Sequence, residues 1–231
     1  MTKVDAPSPV WASPQRSFAH RVEFVRTHTA LAPVPLVPEI SVHQATELTP
    51  LWHATAADLS GWDESPFWAF PWAGGQALAR LLLDSPSTVR GLSVLDFGTG
   101  GGVVAIAAAR AGATRTFAWD LDPYCDAAVR LNAEANGVAL DFRCGSPLGE
   151  DASGVDLVLA GDVFYERRLA RDFLAWSRRL AARGCRVLAG DPGRIYSPAE
   201  GVAEIARYEV PTTTEIEDRS RMRTRVLEIL P

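Results

Sequence analysis

The stretch Val94-Leu95-Asp96-Phe97-Gly98-Thr99-Gly100-Gly101-Gly102 decides the fold class of this chain. It contains most of a short apolar run, Ser93–Phe97, that ends in a glycine turn, and an alanine-rich segment, Val103–Ala111, follows directly. The pattern predicts a buried strand that turns sharply into a helix. Glycines at such a turn, here Gly98 and Gly100, let the backbone approach a ligand closely and supply N–H groups at the helix N-terminus. The turn is therefore a predicted ligand-binding site.

Two details of this glycine turn favour S-adenosylmethionine over a dinucleotide as the ligand. The dinucleotide pattern G-x-G-x-x-G, counted from Gly98, requires glycine at a position where this chain has Val103. The carboxylate of Asp96, two positions before the first glycine, would repel a pyrophosphate but suits a ligand that bears an ammonium group. S-adenosylmethionine carries an amino group and a sulfonium, so we expect it to be the cofactor and disfavour a nicotinamide oxidoreductase.

A second acidic residue, Asp120, ends the next predicted strand about twenty residues after the glycine turn. A carboxylate at this place can accept hydrogen bonds from both hydroxyls of an adenosine ribose, and Leu121 would then cover the adenine face. Asp122 precedes Pro123 and is predicted to cap the helix that follows. The alternative for Asp120 is a turn acid that binds no ligand.

The third signal is Gly161-Asp162-Val163-Phe164-Tyr165-Glu166, directly after the fourth predicted strand. In open α/β sheets the ligand crevice lies where the strand order reverses, so we expect Asp162 to project into it beside the transferred methyl group. Phe164 and Tyr165 are predicted to form the walls of an acceptor channel, and Glu166 is assigned to substrate binding with them. The alternative is a turn acid followed by two buried aromatic residues.

The rest of the chain alternates strands and helices, which predicts a mostly parallel sheet covered on both faces. Residues 1–60 are predicted to form an N-terminal extension that is partly flexible, and residues 61–231 the main α/β domain. Within the extension, the proline-rich residues 1–40 predict a tail with one short helix around Ser17–Thr27. The further predicted strands are Thr116–Trp119, Val138–Arg143, Val155–Ala160, Arg186–Ala189 and a closing pair, Tyr208–Val210 and Arg223–Ile229.

Composition excludes several classes of function. The net charge of −5 gives no reason to expect a nucleic-acid partner, because phosphate contacts need a basic face. No apolar run approaches the ~20 residues that span a bilayer, so no membrane association is expected. The three cysteines are far apart in the sequence, and the four histidines all lie N-terminal to the motifs. Neither set has the spacing of metal ligands, so no metal site is expected. We expect a cytoplasmic protein, with the mitochondrial matrix as the alternative; the sequence does not indicate an oligomeric state.

The glycine turn and four further segments together resemble the seven-β-strand protein-lysine methyltransferases. The resemblance covers roughly residues 33–195, and it implies the Rossmann-like class I methyltransferase fold with a mostly parallel seven-stranded sheet. Within that family, residues 36–40 and 66–69 are most similar to the members that methylate the β-subunit of electron transfer flavoprotein, which implies that subunit as the protein substrate. The four segments are Trp72–Leu78, Asp120–Pro123, Asp162–Tyr165 and Gly190–Arg194.

The resemblance also implies roles for single residues. Asp162 and Tyr165 are implied to face the lysine and are the predicted catalytic residues. One segment departs from the family, because Cys144–Pro147 offers no acid or tryptophan for the adenine amino group. The residues implied to contact the cofactor are Trp72, Gly98, Gly100, Asp120 and Gly161.

Mechanistically, methyl transfer to an amine is an in-line displacement in which alignment of the reacting atoms is the enzyme's main contribution. We assign Asp162 to capturing and orienting the amine, with the proton lost to water. Three alternatives remain open on the same fold: a ribosomal-protein methyltransferase, a small-molecule methyltransferase, and a non-catalytic module that binds S-adenosylmethionine.

Overall fold

The structure, a computed structural model, describes residues 17–45, 50, 51, 53, 55, 65–213, 217 and 219–231. Its helices are α1 (Phe18–His28), α2 (Ala73–Asp84), α3 (Val103–Arg110), α4 (Tyr124–Ala135) and α5 (Arg167–Ala181). Its strands are β1 (Ala30–Val34), β2 (Val37–Gln44), β3 (Ser93–Phe97), β4 (Arg115–Asp120), β5 (Asp141–Cys144), β6 (Leu157–Gly161), β7 (Arg186–Asp191), β8 (Val202–Pro211) and β9 (Arg221–Ile229).

Seven of these strands form one sheet in the order β5-β4-β3-β6-β7-β9-β8. Strands β3 to β7 pair in parallel, and β9 pairs antiparallel with both of its neighbours. The order reverses at β3, whose neighbours β4 and β6 lead away in opposite directions along the sheet. The predicted mostly parallel seven-stranded sheet is thereby confirmed, and the crevice expected at a reversal lies above the carboxyl end of β3.

Helices cover both faces of the sheet because successive strand residues point to opposite sides. Val94 of β3 belongs to one core cluster, with side chains of α2 and α3. Leu95 and Phe97 belong to a second cluster on the other face, with Phe173 and Trp176 of α5. Both clusters are close-packed, so the carboxyl ends of the strands are held at one fixed edge.

Several predicted boundaries differ from the observed ones, and the strand predicted at Tyr208–Val210 extends over Val202–Pro211. The third parallel strand starts at Asp141 rather than Val138, because Val138 packs against the core cluster of α2 and α3 before the chain joins the sheet. Helix α2 starts at Ala73, and its first turn includes two glycines. Glycine disfavours helix, and the compensating contact comes from a distant carboxylate described below. The boundaries of Ser93–Phe97 are confirmed.

The prediction of a tail over residues 1–40 is wrong for the hairpin that β1 and β2 form. Val37 and Ile40 pack on the layer of α2 and α3, and this burial offsets the cost of ordering a proline-rich segment. Two asparagines of α4 tie the hairpin down: Asn132 Oδ1 accepts from His43 N at 2.7 Å, and Asn136 Oδ1 accepts from Ser41 N at 3.1 Å. The helix predicted at Ser17–Thr27 is confirmed, with Ser17 as its cap.

The predicted boundary at residue 60 and residues 1–16 of the predicted tail lie outside the described residues, so the division into extension and domain stays a prediction. Within the described ranges, no helix has the length and apolarity needed to cross a membrane.

Candidate active site

The carboxyl ends of β3, β4, β6 and β7 meet at one edge of the sheet. Gly98 follows β3, Asp120 ends β4, Asp162 follows β6 and Asp191 ends β7. Residues from four separate segments of the chain are therefore brought together, and the sequence predicts three of them: Gly98, Asp120 and Asp162. Among the described residues, no group of three or more His, Cys, Asp or Glu side chains has the arrangement of a metal site.

The glycine turn is packed on one side and open on the other. Gly100 has a φ of 51°, which side chains rarely allow, and a Cβ at Gly101 would lie 2.8 Å from the carbonyl oxygen of Trp68. Opposite this packed side, a Cβ at Gly98 would meet no atom within 4 Å. The loop thus presents backbone to an open space directly before α3.

Asp120 supports this turn from the end of β4. Its Oδ2 accepts a hydrogen bond from Gly100 N at 2.8 Å, and its Oδ1 accepts one from Asp122 N at 3.0 Å. Burial raises the pKa of Asp120, and the two amide donors act against that shift. Leu121, the next residue, is 61% exposed. The ribose and adenine contacts stay predictions.

Asp96 is almost completely buried beneath the same turn. Its Oδ2 accepts from Thr99 Oγ1 at 2.6 Å and from Ala105 N at 3.0 Å, so it joins the glycine turn to the start of α3. Burial raises the pKa of Asp96 to about 7, and those two hydrogen bonds oppose the shift. Asp96 therefore has a structural role in shaping the turn, and its contact with a ligand ammonium stays a prediction.

Asp162 lies at the junction of β6 with the N-terminus of α2. Its Oδ2 accepts from Gly74 N at 2.5 Å and from Gly75 N at 3.3 Å, so it caps α2 from a distant part of the chain. Its backbone has a φ of 56°, an uncommon conformation for a residue with a side chain. This cap is the contact that compensates the two glycines in the first turn of α2.

A partly buried arginine, Arg194, engages the other oxygen of the same carboxylate. Arg194 donates to Asp162 Oδ1 from Nε at 3.0 Å and from Nη2 at 2.6 Å, and it binds Glu217 through two further hydrogen bonds of 2.7 Å. Burial raises the pKa of Asp162 to about 6, and the positive charge of Arg194 acts against this shift. The indole of Trp72 lies 5.7 Å from the guanidinium, measured to the ring centroid.

Sequence reasoning assigned no role to Arg194 and did not identify Glu217. Arg194 stands in a segment that was noted only for its resemblance, whereas its partner Glu217 is reached through the fold and has no local signal. The turn before Arg194 is fixed by Asp191, whose Oδ1 accepts from Gly193 N and Arg194 N at 3.0 and 2.9 Å. A Pro-Gly turn between an acid and an arginine was the available signal.

Glycines let α2 approach the two central strands closely. A Cβ at Gly161 would lie 2.7 Å from Gly75 N, and a Cβ at Gly190 would lie 2.0 Å from the carbonyl oxygen of Gly74. The predicted contact of Gly161 with the cofactor is not tested by this geometry, which instead shows Gly161 against α2. The segments around Gly74, Gly161 and Gly190, which carry the resemblance to one family, therefore pack directly against one another.

The three residues predicted to contact the substrate differ in exposure and in their contacts. Tyr165 is 51% exposed and its ring lies 6.1 Å from that of Phe67, which also contacts Trp72 at 5.5 Å. Phe164 is fully buried and packs on Phe173, so the structure does not bring its side chain to this edge. Glu166 caps α5, accepting from the amides of residues 168 and 169 at 2.7 Å.

Comparison with known proteins gives the family. Residues 78–161 match the family model described as Ribosomal protein L11 methyltransferase (PrmA). Over 201 residues the chain is 38% identical to the electron transfer flavoprotein beta subunit lysine methyltransferase of Xenopus laevis, covering 84% of this chain and 81% of that protein. The chain belongs to the electron transfer flavoprotein beta subunit lysine methyltransferase family. The human member is 43% identical over 162 residues, 69% of this chain and 61% of that protein.

Membership of this methyltransferase family confirms the resemblance to seven-β-strand lysine methyltransferases and makes the protein a methyltransferase. A solved structure of magnesium protoporphyrin IX methyltransferase from Synechocystis, with bound SAM, has a TM-score of 0.51 and 20% identity and covers 68% of this chain and 79% of that chain. This likeness confirms the class I methyltransferase fold.

Proposed function

We propose that the protein transfers methyl groups from S-adenosylmethionine to lysine side chains of the electron transfer flavoprotein β-subunit. The observation that carries the proposal is membership of a family whose named relatives match most of this chain. The geometry supports it, because Asp162, the residue assigned to the amine, lies at the same sheet edge as the glycine turn.

The carboxylates at this edge of the sheet suit a cationic ligand. Within the described residues, no lysine or arginine forms an ion pair with Asp96 or Asp120, although both carboxylates stand at the glycine turn. S-adenosylmethionine brings two positive centres to such a site, and when bound it supplies an electrophilic methyl group on sulfur. The glycine turn and Asp120 would hold it, with Leu121 and Trp72 at its sides.

The acceptor lysine must lose its proton before its nitrogen can attack. With an ordinary lysine pKa of about 10.4, neutralisation at pH 7 costs about 4.6 kcal/mol. Asp162 holds and orients the amine in this proposal, and solvent takes the proton. Arg194, bound to the same carboxylate, offsets the negative charge that would otherwise stabilise the ammonium. Tyr165, half exposed and three residues after Asp162, faces the incoming side chain in this proposal.

A direct test is incubation of the purified protein and S-adenosylmethionine with electron transfer flavoprotein β-subunit from the same organism, followed by peptide mass spectrometry. We expect lysine residues to gain whole methyl units, and no gain when the cofactor is omitted. An unmodified β-subunit beside methylated ribosomal protein L11 would favour the second function, which the match over residues 78–161 supports. That match ends before Asp162 and therefore does not include the acceptor residues.

A further inference from the structure

Exposed apolar side chains are concentrated around the candidate active site. Four of them form what we call the apolar rim: Phe67, Tyr165, Ile195 and Tyr196, with exposed fractions of 44%, 51%, 81% and 39%. Large apolar side chains exposed to this degree and gathered at one edge mark a surface that contacts another molecule.

The apolar rim is held in place by the network beneath it. Phe67 and Tyr165 contact each other through their rings, and Tyr196 N donates to Phe164 O at 3.1 Å. Ile195 follows Arg194, whose amide and guanidinium are both engaged. A rigid apolar surface binds a partner with little loss of side-chain freedom, so this geometry is suited to recognition.

Arginines line the exposed face of α5, which starts two residues after Tyr165. Between residues 167 and 183, Asp172 is the only acid and the exposed positions otherwise carry arginine or alanine. Arg167, Arg168 and Arg171 stand in the first turns, beside the apolar rim, and two of the three share Asp172 as counter-charge. With Glu166 and Asp172 included, residues 166–172 have a net charge of +1, on a chain whose net charge is −5. The arginines are Arg167, Arg168, Arg171, Arg178, Arg179 and Arg183.

We propose that the apolar rim and the first turns of α5 form the docking surface for the folded substrate protein, and that this protein presents acidic residues beside its target lysine. The inference rests on the proposed function and adds the chemistry of the partner surface. Aromatic residues and arginine are the types enriched at protein interfaces. The positive end of α5 requires a negative counterpart, and a small amine substrate would contact neither surface.

Two matched pairs of variants test this surface. Arg167→Glu/Arg168→Glu is compared with Arg178→Glu/Arg179→Glu, which makes the same change of charge at the far end of the same helix, about 16 Å away. Ile195→Asp is compared with Ile205→Asp, another exposed isoleucine, which lies on β8. Thermal unfolding and titration with S-adenosylhomocysteine verify that all four proteins fold and keep the cofactor site.

Steady-state methylation of the flavoprotein β-subunit is the readout. We expect Arg167→Glu/Arg168→Glu and Ile195→Asp to raise KM at least fivefold with kcat within twofold of wild type, and the two control variants to stay within twofold in both. Raising the ionic strength should raise the wild-type KM and reduce the difference between the arginine variants, because salt screens exposed charges.

Each contrary outcome has one meaning. If the wild type is active and each test variant has the same KM as its matched control, the docking proposal is overturned and the proposed function is unaffected. A wild type that methylates no lysine of the β-subunit overturns the proposed substrate and the docking proposal with it. Binding of a single-stranded RNA probe that is lost in Arg167→Glu/Arg168→Glu, with an unchanged KM, would assign these arginines to nucleic acid and overturn the proposal.

Discussion

Two adjacent glycines in the first turn of α2 should respond in opposite directions to the same substitution. A Cβ at Gly74 would lie 2.3 Å from the carbonyl oxygen of Gly190 and 2.5 Å from Asp162 Oδ2. A Cβ at Gly75 would meet only the side chain of Val104, at an ordinary 3.7 Å. We therefore predict that Gly74→Ala destabilises the protein and that Gly75→Ala stabilises it.

The magnitudes follow from these distances. A Cβ makes ordinary van der Waals contacts from 3.4 Å, so Gly74→Ala requires α2 to move away from β7 by about 1 Å. Two of the three nearest atoms belong to the backbone and cannot move aside as a flexible side chain would. Overpacking of this kind lowers the free energy of unfolding by about 3 kcal/mol, and the higher helix propensity of alanine raises it by about 1 kcal/mol. The net loss of about 2 kcal/mol lowers Tm by about 4–8 °C for a chain of this size. Gly75→Ala causes no overpacking, so we expect it only to raise the free energy of unfolding, by about 0.5–1 kcal/mol.

Urea unfolding followed by circular dichroism, with thermal scans on the same samples, measures both variants against wild type. Gly75→Ala is the internal control, since it adds the same methyl group to the same helix. Shifts of the same sign in the two variants, or a Gly74→Ala Tm within about 1 °C of wild type, would refute the close approach of α2 to the central strands.

Three further predictions concern the carboxylates. Asp162→Ala should abolish methyl transfer while the affinity for S-adenosylhomocysteine, measured by calorimetry, stays within a few-fold; near-normal turnover would remove its assigned role. Asp120→Ala should weaken the same affinity by about 1.5–3 kcal/mol, because charged hydrogen bonds are lost, and an unchanged titration would contradict this. Burial raises the folded pKa of Asp96 to about 7 from 3.8, so its contribution to stability falls as pH rises through that window. Asp96→Asn should therefore gain stability relative to wild type more at pH 8 than at pH 5 in urea unfolding.

The cofactor half of the site was predictable because its signals are local. Strand, glycine turn and helix follow one another within Ser93–Arg110, and Asp120 ends the neighbouring strand, so period and spacing alone place them at one edge. Parallel pairing then positions Asp162 without further information.

The acceptor half was less predictable because tertiary contacts decide it. The fully buried position of Phe164 depends on how α5 packs, and the cap that Asp162 provides depends on where α2 starts. Arg194 and Glu217 are adjacent only because the segments after β7 and β8 converge. The β1–β2 hairpin was missed for a similar reason, since its proline-rich strands are stabilised by contacts with distant residues: burial against α2 and α3 and hydrogen bonds with Asn132 and Asn136.

Calorimetric titration with S-adenosylmethionine, S-adenosylhomocysteine and NADH tests the account of the site most directly. The glycine turn and Asp120, which has no arginine partner among the described residues, predict saturable binding of both adenosyl compounds, with stabilisation of about 2.7 kcal/mol at a hundredfold excess over Kd. They predict no binding of NADH, because Val103 stands where the dinucleotide pattern requires a glycine. Binding of NADH together with no heat from either adenosyl compound would contradict the assignment of this edge to a methyl donor.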